Sequence, residues 1–433
     1  MSHVVTVFLR EGAEVLLIRR SDAVGTYSGL WGSVSGYVED APEDALADAR
    51  RELREETGVD DATFVRAGDP LDVVDGENDR EWTVHPFLFE TDSREVTPNE
   101  ELADWEWVQP PAMLDRPTVP NLWEVYRGVA PTVDTVRDDE IHGAAYLSIR
   151  ALEVLRDKAA NAVRERGGES DESGDWDRVV AVARGLRDAR PGMAVVRNRV
   201  NRTMFEANEA GESVRETAES VIRDALNADD EAASHAASLL SAHDADNGDS
   251  GIEGDGPVAT LSRSGTATAA LSAAGRPLLV AESQPGGEGV DAAEAFAEAG
   301  LDVTLTTDAA LAHVAAERDV SAALVGADAV FPDGSVANKA GTRMVALVAK
   351  QEKFPLYVVT AADKVSPDDD FSPELRPESE LYDGDVSLSV ENPLFDRTPA
   401  DLVSGIVTES SVVDADEVAK LAAERREWQG WSG

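Results

Sequence analysis

The sequence predicts an α/β protein built from three parts, and three observations lead to this view. The chain has 433 residues, which at about 150 residues per domain corresponds to two or three domains. Strand-like and helix-like patterns alternate at both ends of the chain, and helical periodicity fills the region between them. We therefore expect an α/β domain over 1–130, a helical subdomain over 131–245 and a doubly wound parallel sheet over 246–433.

The first part opens with two strands, over 4–9 and 14–19, joined by a tight turn. A Gly-rich loop over 25–36 leads to a helix over 42–57, with Pro42 in its first turn and Gly58 after its end. The remaining elements of this part are strands over 64–66, 81–90 and 105–108, and a short helix over 120–127.

The second and third parts differ in their periodicity. Helices are predicted over 141–166, 176–189, 194–210 and 213–243, with an acidic surface loop over 166–175 and a linker over 244–256. Strands then follow over 258–261, 277–280, 302–306, 322–325 and 356–360, with helices over 266–274, 291–299, 309–318 and 342–353. In a parallel sheet of this kind, ligands bind beyond the carboxyl ends of the strands.

Composition limits the function. The formal charge is −46, so the surface repels phosphates, and we expect no general binding of nucleic acid. Only six of the 39 basic residues are lysine, and acidic excess with scarce lysine is typical of a halophilic cytosol, where salt screens the repulsion. There is no cysteine, no stretch of roughly 18 apolar residues, and no signal-peptide pattern at the start. We expect a soluble cytoplasmic protein without membrane partners.

Three carboxylates lie together on the helix predicted over 42–57. Glu52, Glu55 and Glu56 are related by three and four positions, which places them on one helix face. Such crowding is unfavourable unless a cation compensates it, and oxygen ligands of this kind suit Mg²⁺ or Mn²⁺. Arg51 can hold a carboxylate through a bidentate pair. The alternative is an ordinary solvated face rich in Glu and Arg.

This segment resembles the Nudix box, G-x5-E-x7-R-E-U-x-E-E-x-G-U, where U is a bulky aliphatic residue. The second half matches from Arg51 to Val59, whereas six residues instead of five separate Gly36 from Glu43. The resemblance implies an α/β/α sandwich and a metal-dependent hydrolase, with Glu52, Glu55 and Glu56 as metal and base positions and a backbone carbonyl from Gly36. Which glutamate is the general base stays open.

The resemblance also implies the substrate class, a nucleoside diphosphate linked to another group. Acids from later loops often assist, and Glu100 or Glu101 is a candidate, although a solvated loop position is equally compatible. The aromatic side chains of the strand over 81–90 either stack on a base or fill the core; these are Trp82, His85 and Phe87. We favour the core for them.

The C-terminal part carries several strand-to-helix loops with polar residues. They contain Ser262 and Ser264 after the first strand, Asp328 after the fourth, and Asn338 and Lys339 before a helix, where a phosphate could bind. Lys364 follows the last strand, and four of the six lysines lie between positions 339 and 364. Ordinary loop chemistry of an α/β fold accounts for any one of these pieces alone.

In this order, the pieces resemble the translation initiation factor 2B alpha/beta/delta family, with its methylthioribose-1-phosphate and ribose-1,5-bisphosphate isomerases. The resemblance implies a Rossmann-like domain, a sugar-phosphate or nucleotide effector, and a homo-oligomer. The isomerases use a Cys and an Asp; Asp328 matches the Asp, but the Cys position falls within 261–264, where there is none. Two phosphate-binding Arg positions are changed to His142 and Gln284. We expect a ligand-sensing or regulatory domain, with an isomerase or a non-catalytic interaction protein as alternatives.

Overall fold

The computed structural model describes residues 2–23, 25–39, 42–76, 78, 80–139, 141–166, 172–207, 211–241, 252 and 254–432. The chain divides into two compact units. The first comprises Met1–Thr135 and Glu153–Asp175, and the second comprises Val136–Leu152 and Trp176–Gly433. The first stretch of the first unit ends at Thr135, and a later helical segment also belongs to that unit.

An eight-stranded sheet forms the centre of the first unit. Its strands are β1 (Ser2–Glu11), β2 (Glu14–Arg20), β3 (Trp31–Gly32), β4 (Val34–Tyr37), β5 (Thr63–Ala67), β6 (Leu71–Asp75), β7 (Arg80–Glu90) and β8 (Leu102–Val108). The main path runs β3-β2-β1-β7-β5, and β1 pairs with β7 in parallel. Strands β4, β6 and β8 pair antiparallel with β1, β7 and β2 respectively.

Helices cover both faces of this sheet, because alternate residues of its central strands point to opposite faces. The first four helices are α1 (Ala45–Thr57), α2 (Leu122–Arg127), α3 (Val133–Arg137) and α4 (Ala144–Arg166). Val7 and Leu9 share a core with Leu53 of α1, whereas Phe8 shares the opposite core with Trp123 of α2. This is the expected α/β/α sandwich. The central part of β1 is a continuous apolar run because neither of its faces is exposed to water.

The helix that carries the carboxylates is close to its prediction. A 3₁₀ turn at Pro42–Asp44 precedes α1, and Gly58 ends it with a φ of 75° and an N–H donated to the Arg54 carbonyl. Glycine adopts this left-handed conformation without the steric cost of a Cβ. The sequence patterns did not indicate β3, β4 or β6, which are short strands at the margins of the sheet.

Helices lead into the sheet of the second unit. They are α5 (Glu172–Arg187), α6 (Ala194–Glu206) and α7 (Gly211–Ser241). The loop predicted over 166–175 is partly wrong, since α4 extends to Arg166 and α5 begins at Glu172, while 167–171 lie outside the described residues. Of the linker predicted over 244–256, residues 244–251 and 253 also lie outside the described residues.

A parallel sheet forms the centre of the second unit. The elements of this part of the second unit are β9 (Val258–Leu261), α8 (Gly265–Ala274), β10 (Leu278–Ala281), α9 (Glu288–Glu298), β11 (Val303–Thr306), α10 (Leu311–Glu317), β12 (Ala322–Val325), β13 (Ala329–Val330), β14 (Val336–Lys339), α11 (Thr342–Glu352), β15 (Leu356–Val359), β16 (Phe395–Thr398), β17 (Gly405–Val407), β18 (Val412–Val413) and α12 (Ala415–Glu427). The order is β11-β10-β9-β12-β15-β17-β18, with only the β17–β18 pair antiparallel among these pairings.

Helices again cover both faces, and this confirms the doubly wound arrangement. One core contains side chains of α7, α8 and α9, and the other contains side chains of α10, α11 and α12. The chain leaves β9 toward β10 on one side and later returns to β12 on the other. A crevice forms at such a reversal, and it is the usual ligand position in this kind of sheet.

One part of this region differs from its predicted form. The segment after β12 was expected to be an irregular loop leading to a helix. Instead β13, β14 and β16 form a small antiparallel sheet, in which Asn338 lies opposite Asp396. The partner strand β16 is more than fifty residues further along the chain, so local patterns carried little information about this pairing.

Candidate functional sites

Helix α1 places the predicted carboxylates beside β4. Leu53 is 2% exposed in the core beneath the helix, and Glu56 is 3% exposed. A Cβ built on Gly36 would lie 2.0 Å from Oε1 of Glu52, so glycine at this position lets the strand backbone approach the carboxylate. The backbone N–H of Ser35 donates to Oε1 of Glu56 at 3.1 Å. Glu55 is largely exposed on the same helix.

Arg51 lies among these acids rather than apart from them. Its guanidinium is 2.8 Å from both Asp48 Oδ1 and Glu52 Oε1, and 3.7 Å from Glu55 Oε2. Its hydrogen bond to Asp48 raises the pKa of Arg51 further. The arginine therefore orients Glu52 and partly neutralises the acidic face.

The electrostatics of the site favour a bound cation. Burial raises the pKa of Glu56 to about 8, and the charges of Glu101 and Glu52 add to this rise. Burial also raises the pKa of Glu52, with Glu55 and Glu101 contributing. Mutually repelling carboxylates with few hydrogen-bond donors are a donor set that Mg²⁺ or Mn²⁺ stabilises.

The donor set fits such an ion chemically, since all its members are oxygens. The Gly36 backbone and three glutamates supply them, and Glu101 lies close enough to act on the pKa of Glu52 and Glu56. Within the described ranges, however, no three or more His, Asp or Glu side chains are already grouped as they would be around a metal ion. The salt bridges of Arg51 hold Glu52 and Glu55 in their present positions.

A cavity of about 490 Å³ opens beside the carboxylates. Its polar wall includes Gly36, Glu52 and Glu101, and its other walls include Tyr27 and Trp82. Glu101 therefore faces this cavity, whereas Glu100 is not among the residues that line it. Sequence reasoning singled out neither Tyr27 nor Arg20, which also lines the cavity; the only signal was their position in or beside the Gly-rich loop.

The three aromatic residues predicted on β7 have separate surroundings. Trp82 lines the cavity, so the core assignment favoured for it is incomplete. Phe87 is 5% exposed in the core shared with α1. His85 is buried, with Nε2 at 2.9 Å from Nδ1 of His3, and burial lowers its pKa.

In the second unit, the predicted polar residues follow the carboxyl ends of neighbouring strands. Ser262 and Ser264 follow β9, Asp328 follows β12 and Lys364 follows β15, while Asn338 and Lys339 belong to β14. The side chains of Ser264 and Asn338 both approach the backbone of Gly326. A Cβ built on Gly326 would lie 2.4 Å from Ser264 Oγ and 3.9 Å from Asn338 Oδ1. The fold thus brings together residues that are far apart in the sequence.

Several of these side chains already have partners. Lys339 is 4% exposed, and its Nζ lies 2.7 Å from Oε2 of Glu288. Nζ of Lys364 donates to the Ala327 carbonyl at 2.6 Å. Ser264 caps α8 by accepting the Ala267 N–H, and Asn338 donates to Thr342. Glu288 therefore limits the net positive charge available to a ligand.

Asp328 lies between opposing charges. Burial raises its pKa, and the charges of Glu374 and Glu288 act in the same direction. Lys364 and Lys339 lower it, so both ammonium groups are near this carboxyl.

The two positions identified as changed arginines make local contacts. His142 stacks on Tyr146 with ring centroids 4.0 Å apart and contacts Asp139. The backbone N–H of Gln284 donates to Asp308, and its amide nitrogen would lie 3.8 Å from a Cβ on Gly287.

These features define a class of protein: an α/β/α domain with a carboxylate helix, followed by helices and a doubly wound sheet with a polar crevice. Residues 2–129 match the NUDIX domain, and residues 140–415 match the Initiation factor 2 subunit family. The second match spans more than half of the chain, which therefore belongs to the initiation factor 2 subunit family and carries an N-terminal NUDIX domain. Both predicted resemblances are confirmed.

Known relatives are similar to this chain over different lengths. The ribose 1,5-bisphosphate isomerase of Archaeoglobus fulgidus is 29% identical over 320 residues, which are 70% of this chain and 95% of that protein. A methylthioribose-1-phosphate isomerase of Bacillus cytotoxicus is 35% identical over 136 residues, so the match covers only 39% of that relative. The crystal structure of the translation initiation factor eIF-2B of Pyrococcus horikoshii is 27% identical with a TM-score of 0.53, covering 65% of this chain and 94% of that one.

Proposed function

We propose that the first unit is a Mg²⁺- or Mn²⁺-dependent hydrolase that cleaves the phosphoanhydride of a nucleoside diphosphate derivative. The observations that support this most directly are half-buried Glu52 against Gly36 and buried Glu56 against the neighbouring Ser35. Glu52 lies at the edge of a cavity large enough for a nucleotide. A NUDIX domain supports a hydrolase in general; the metal, the substrate and the residue roles are our proposal.

The residues have distinct roles in this proposal. Glu52, Glu55, Glu56 and the Gly36 carbonyl hold the cation, which when bound withdraws charge from the phosphates. Arg51 keeps Glu52 oriented toward Gly36. Burial raises the pKa of Glu56, so its carboxylate, once deprotonated, is a stronger base than an exposed one and can accept a proton from the attacking water. Glu101 closes the acidic wall of the cavity.

The test is hydrolysis by the full chain in high salt, with and without Mg²⁺, on a panel of nucleoside diphosphate derivatives. We expect turnover that EDTA abolishes and that Glu56→Gln reduces strongly, with release of a nucleoside monophosphate. Glu95→Gln is the matched control, because Glu95 is exposed and lies outside the cavity lining. No turnover on any substrate, with wild type equal to Glu56→Gln, would contradict the proposal.

For the second unit, we propose binding of a phosphorylated sugar or a nucleotide without isomerisation. Asp328 near two lysines at the strand ends supports ligand binding. The absence of cysteine in the sequence, with Ser262 and Ser264 in the corresponding loop, disfavours the proton transfer that a thiol would perform. The alternative is an aldose–ketose isomerase, which the similarity to ribose 1,5-bisphosphate isomerase favours.

Calorimetry with ribose 1,5-bisphosphate and AMP distinguishes these possibilities. Binding that Asp328→Ala abolishes, without any ketose formed, would support a sensing role. Measurable isomerisation would overturn it.

We also propose a homo-oligomer, by analogy with the family, which light scattering in high salt would test. In the part of the chain that the structure describes, no helix is long and apolar enough to cross a membrane.

A further inference from the structure

We infer that Tyr27 and Trp82 form an aromatic wall that recognises the planar base of the substrate. This inference deepens the proposed hydrolase function and rests on it. It assigns specificity to two residues outside the carboxylate helix, one in the Gly-rich loop and one on β7. The ligand class is a planar aromatic heterocycle joined to phosphates.

The two rings adjoin each other at one cavity. Their centroids are 5.8 Å apart, with an interplanar angle of 52°. Both residues line the cavity that also contains Glu52 and Glu101. Rings this close leave no room for a base between them. A base would instead stack with one of its faces against the surface that the two tilted rings form. Such stacking accepts any base, because every base has a π-face.

The loop holds Tyr27 in an unusual conformation. Its φ is +57°, a value that residues other than glycine rarely adopt. The phenol O–H donates to Oδ2 of Asp75 at 2.5 Å, and Nε of Arg20 donates to the carbonyl of the preceding Thr26 at 3.0 Å. Burial and the nearby Asp75 raise the pKa of Tyr27, which keeps the phenol a neutral donor. Strain maintained by such contacts is frequent at binding sites.

Arg20 connects the aromatic wall to the carboxylates. It lies near enough to lower the pKa of both Tyr27 and Glu56, and its Nη1 donates to Ser35 Oγ at 3.1 Å. Arg80 also acts on the pKa of Tyr27 and lines the same cavity. The cavity therefore presents aromatic rings, then a guanidinium, then the acidic helix. A nucleoside diphosphate derivative likewise has its base at one end and its anionic, scissile diphosphate beyond the sugar.

The test compares two substrates in the full-length protein with Mg²⁺ in high salt. One is ADP-ribose, and the other is a ribose diphosphate ester with a methyl group in place of the nucleoside. Since stacking accounts for roughly tenfold to hundredfold in affinity, we expect Trp82→Leu to raise the KM for ADP-ribose by about that factor. The KM of the methyl ester should stay within about twofold. Trp82→Phe, which keeps a ring, should restore most of the loss.

The control is Trp105→Leu on β8, an exposed tryptophan outside the cavity lining, which should leave both KM values unchanged. An equal rise of KM for both substrates in Trp82→Leu, or no rise for either, would overturn the assignment. AMP binding measured by calorimetry tests the wall without turnover, with Asp328→Ala present in both proteins to remove the nucleotide site proposed for the second unit. Wild type that binds AMP more tightly than Trp82→Leu supports the wall even if hydrolysis fails; equal binding refutes it.

Discussion

The two candidate sites are assembled in opposite ways. In the first unit, Gly36, Glu52 and Glu56 lie within about twenty residues of sequence, and one helix packed on one strand brings them together. In the second unit, Ser264, Asp328 and Lys364 follow three different strands, and only the parallel sheet makes them neighbours. A site on one helix is visible as a motif, whereas a site at strand ends depends on the strand order.

Their charge balance differs as well. The first site gathers carboxylates whose pKa values are raised by burial and by one another, so a bound cation would stabilise their charged forms. The second contains lysines that are already paired, Lys339 with Glu288 and Lys364 with a backbone carbonyl. We therefore expect loss of a carboxylate at the first site to impair catalysis severely, whereas loss of the Ser264 hydroxyl at the second site should have a small effect on stability.

The largest expected effect is on catalysis. Glu52→Gln should lower kcat/KM at least about 100-fold, because a metal contributes several kcal/mol of charge stabilisation and each 1.36 kcal/mol is a tenfold change in rate. The apparent affinity for Mg²⁺ should fall in the same titration. Steady-state kinetics across Mg²⁺ concentrations measures both. If Glu52→Gln left kcat/KM and the Mg²⁺ dependence unchanged, the first site would not depend on its carboxylates to hold a cation.

A buried arginine gives the next largest effect, on stability. Arg156 is fully buried in the first unit, with Nε at 2.8 Å from Asp157 and Nη1 donating to the Ala13 carbonyl at 3.1 Å. Arg156→Met leaves the buried Asp157 carboxylate without its cationic partner, which costs about 3–5 kcal/mol of unfolding free energy.

The matched control is Arg164→Met on the same helix. Arg164 pairs with Glu124 but is 45% exposed, so its loss should cost less than about 1 kcal/mol. Denaturant unfolding of both variants measures the difference. If the two variants were equally stable, burial would not make the ion pair of Arg156 more important for stability than the exposed pair of Arg164.

The pH dependence of the metal-free protein gives an intermediate effect. The folded-state pKa of Glu56 is about 8, raised from 4.5 by burial. Its contribution to stability is therefore complete below pH 4.5 and is lost as the pH rises through 8. Between pH 6 and 9 in EDTA, wild type should lose about 2–3 kcal/mol more than Glu56→Gln. Parallel pH profiles, or the opposite sign, would contradict this burial effect.

The smallest effect is expected in the second site. Ser264 accepts the Ala267 N–H as the N-cap of α8, so Ser264→Ala should cost about 1 kcal/mol of stability. Thermal unfolding measures this cost, and Ser272→Ala, within α8, is a control of the same chemistry. A loss of ligand binding larger than the loss of stability would show that the hydroxyl also contacts the ligand.

Much of the fold followed from local patterns. The prediction of β9 and β12 matched to the residue, and most other strands and helices of both sheets differ from their predictions by a few residues. Strands β6 and β14 were not predicted, because their pairing depends on β7 and β16. The start of α5 was missed since an acidic, Gly-rich sequence favours a loop locally.

By itself, the sequence determined the acidic helix, the absence of thiol chemistry and the identity of both parts, because each depends on residue types at short spacing. Only the tertiary structure decided that Glu101 faces the cavity, that Trp82 lines it beside Tyr27, and that Glu288 neutralises Lys339. These contacts join residues far apart in the chain. Their geometry depends on the register of strands and the packing of loops, which no local pattern specifies.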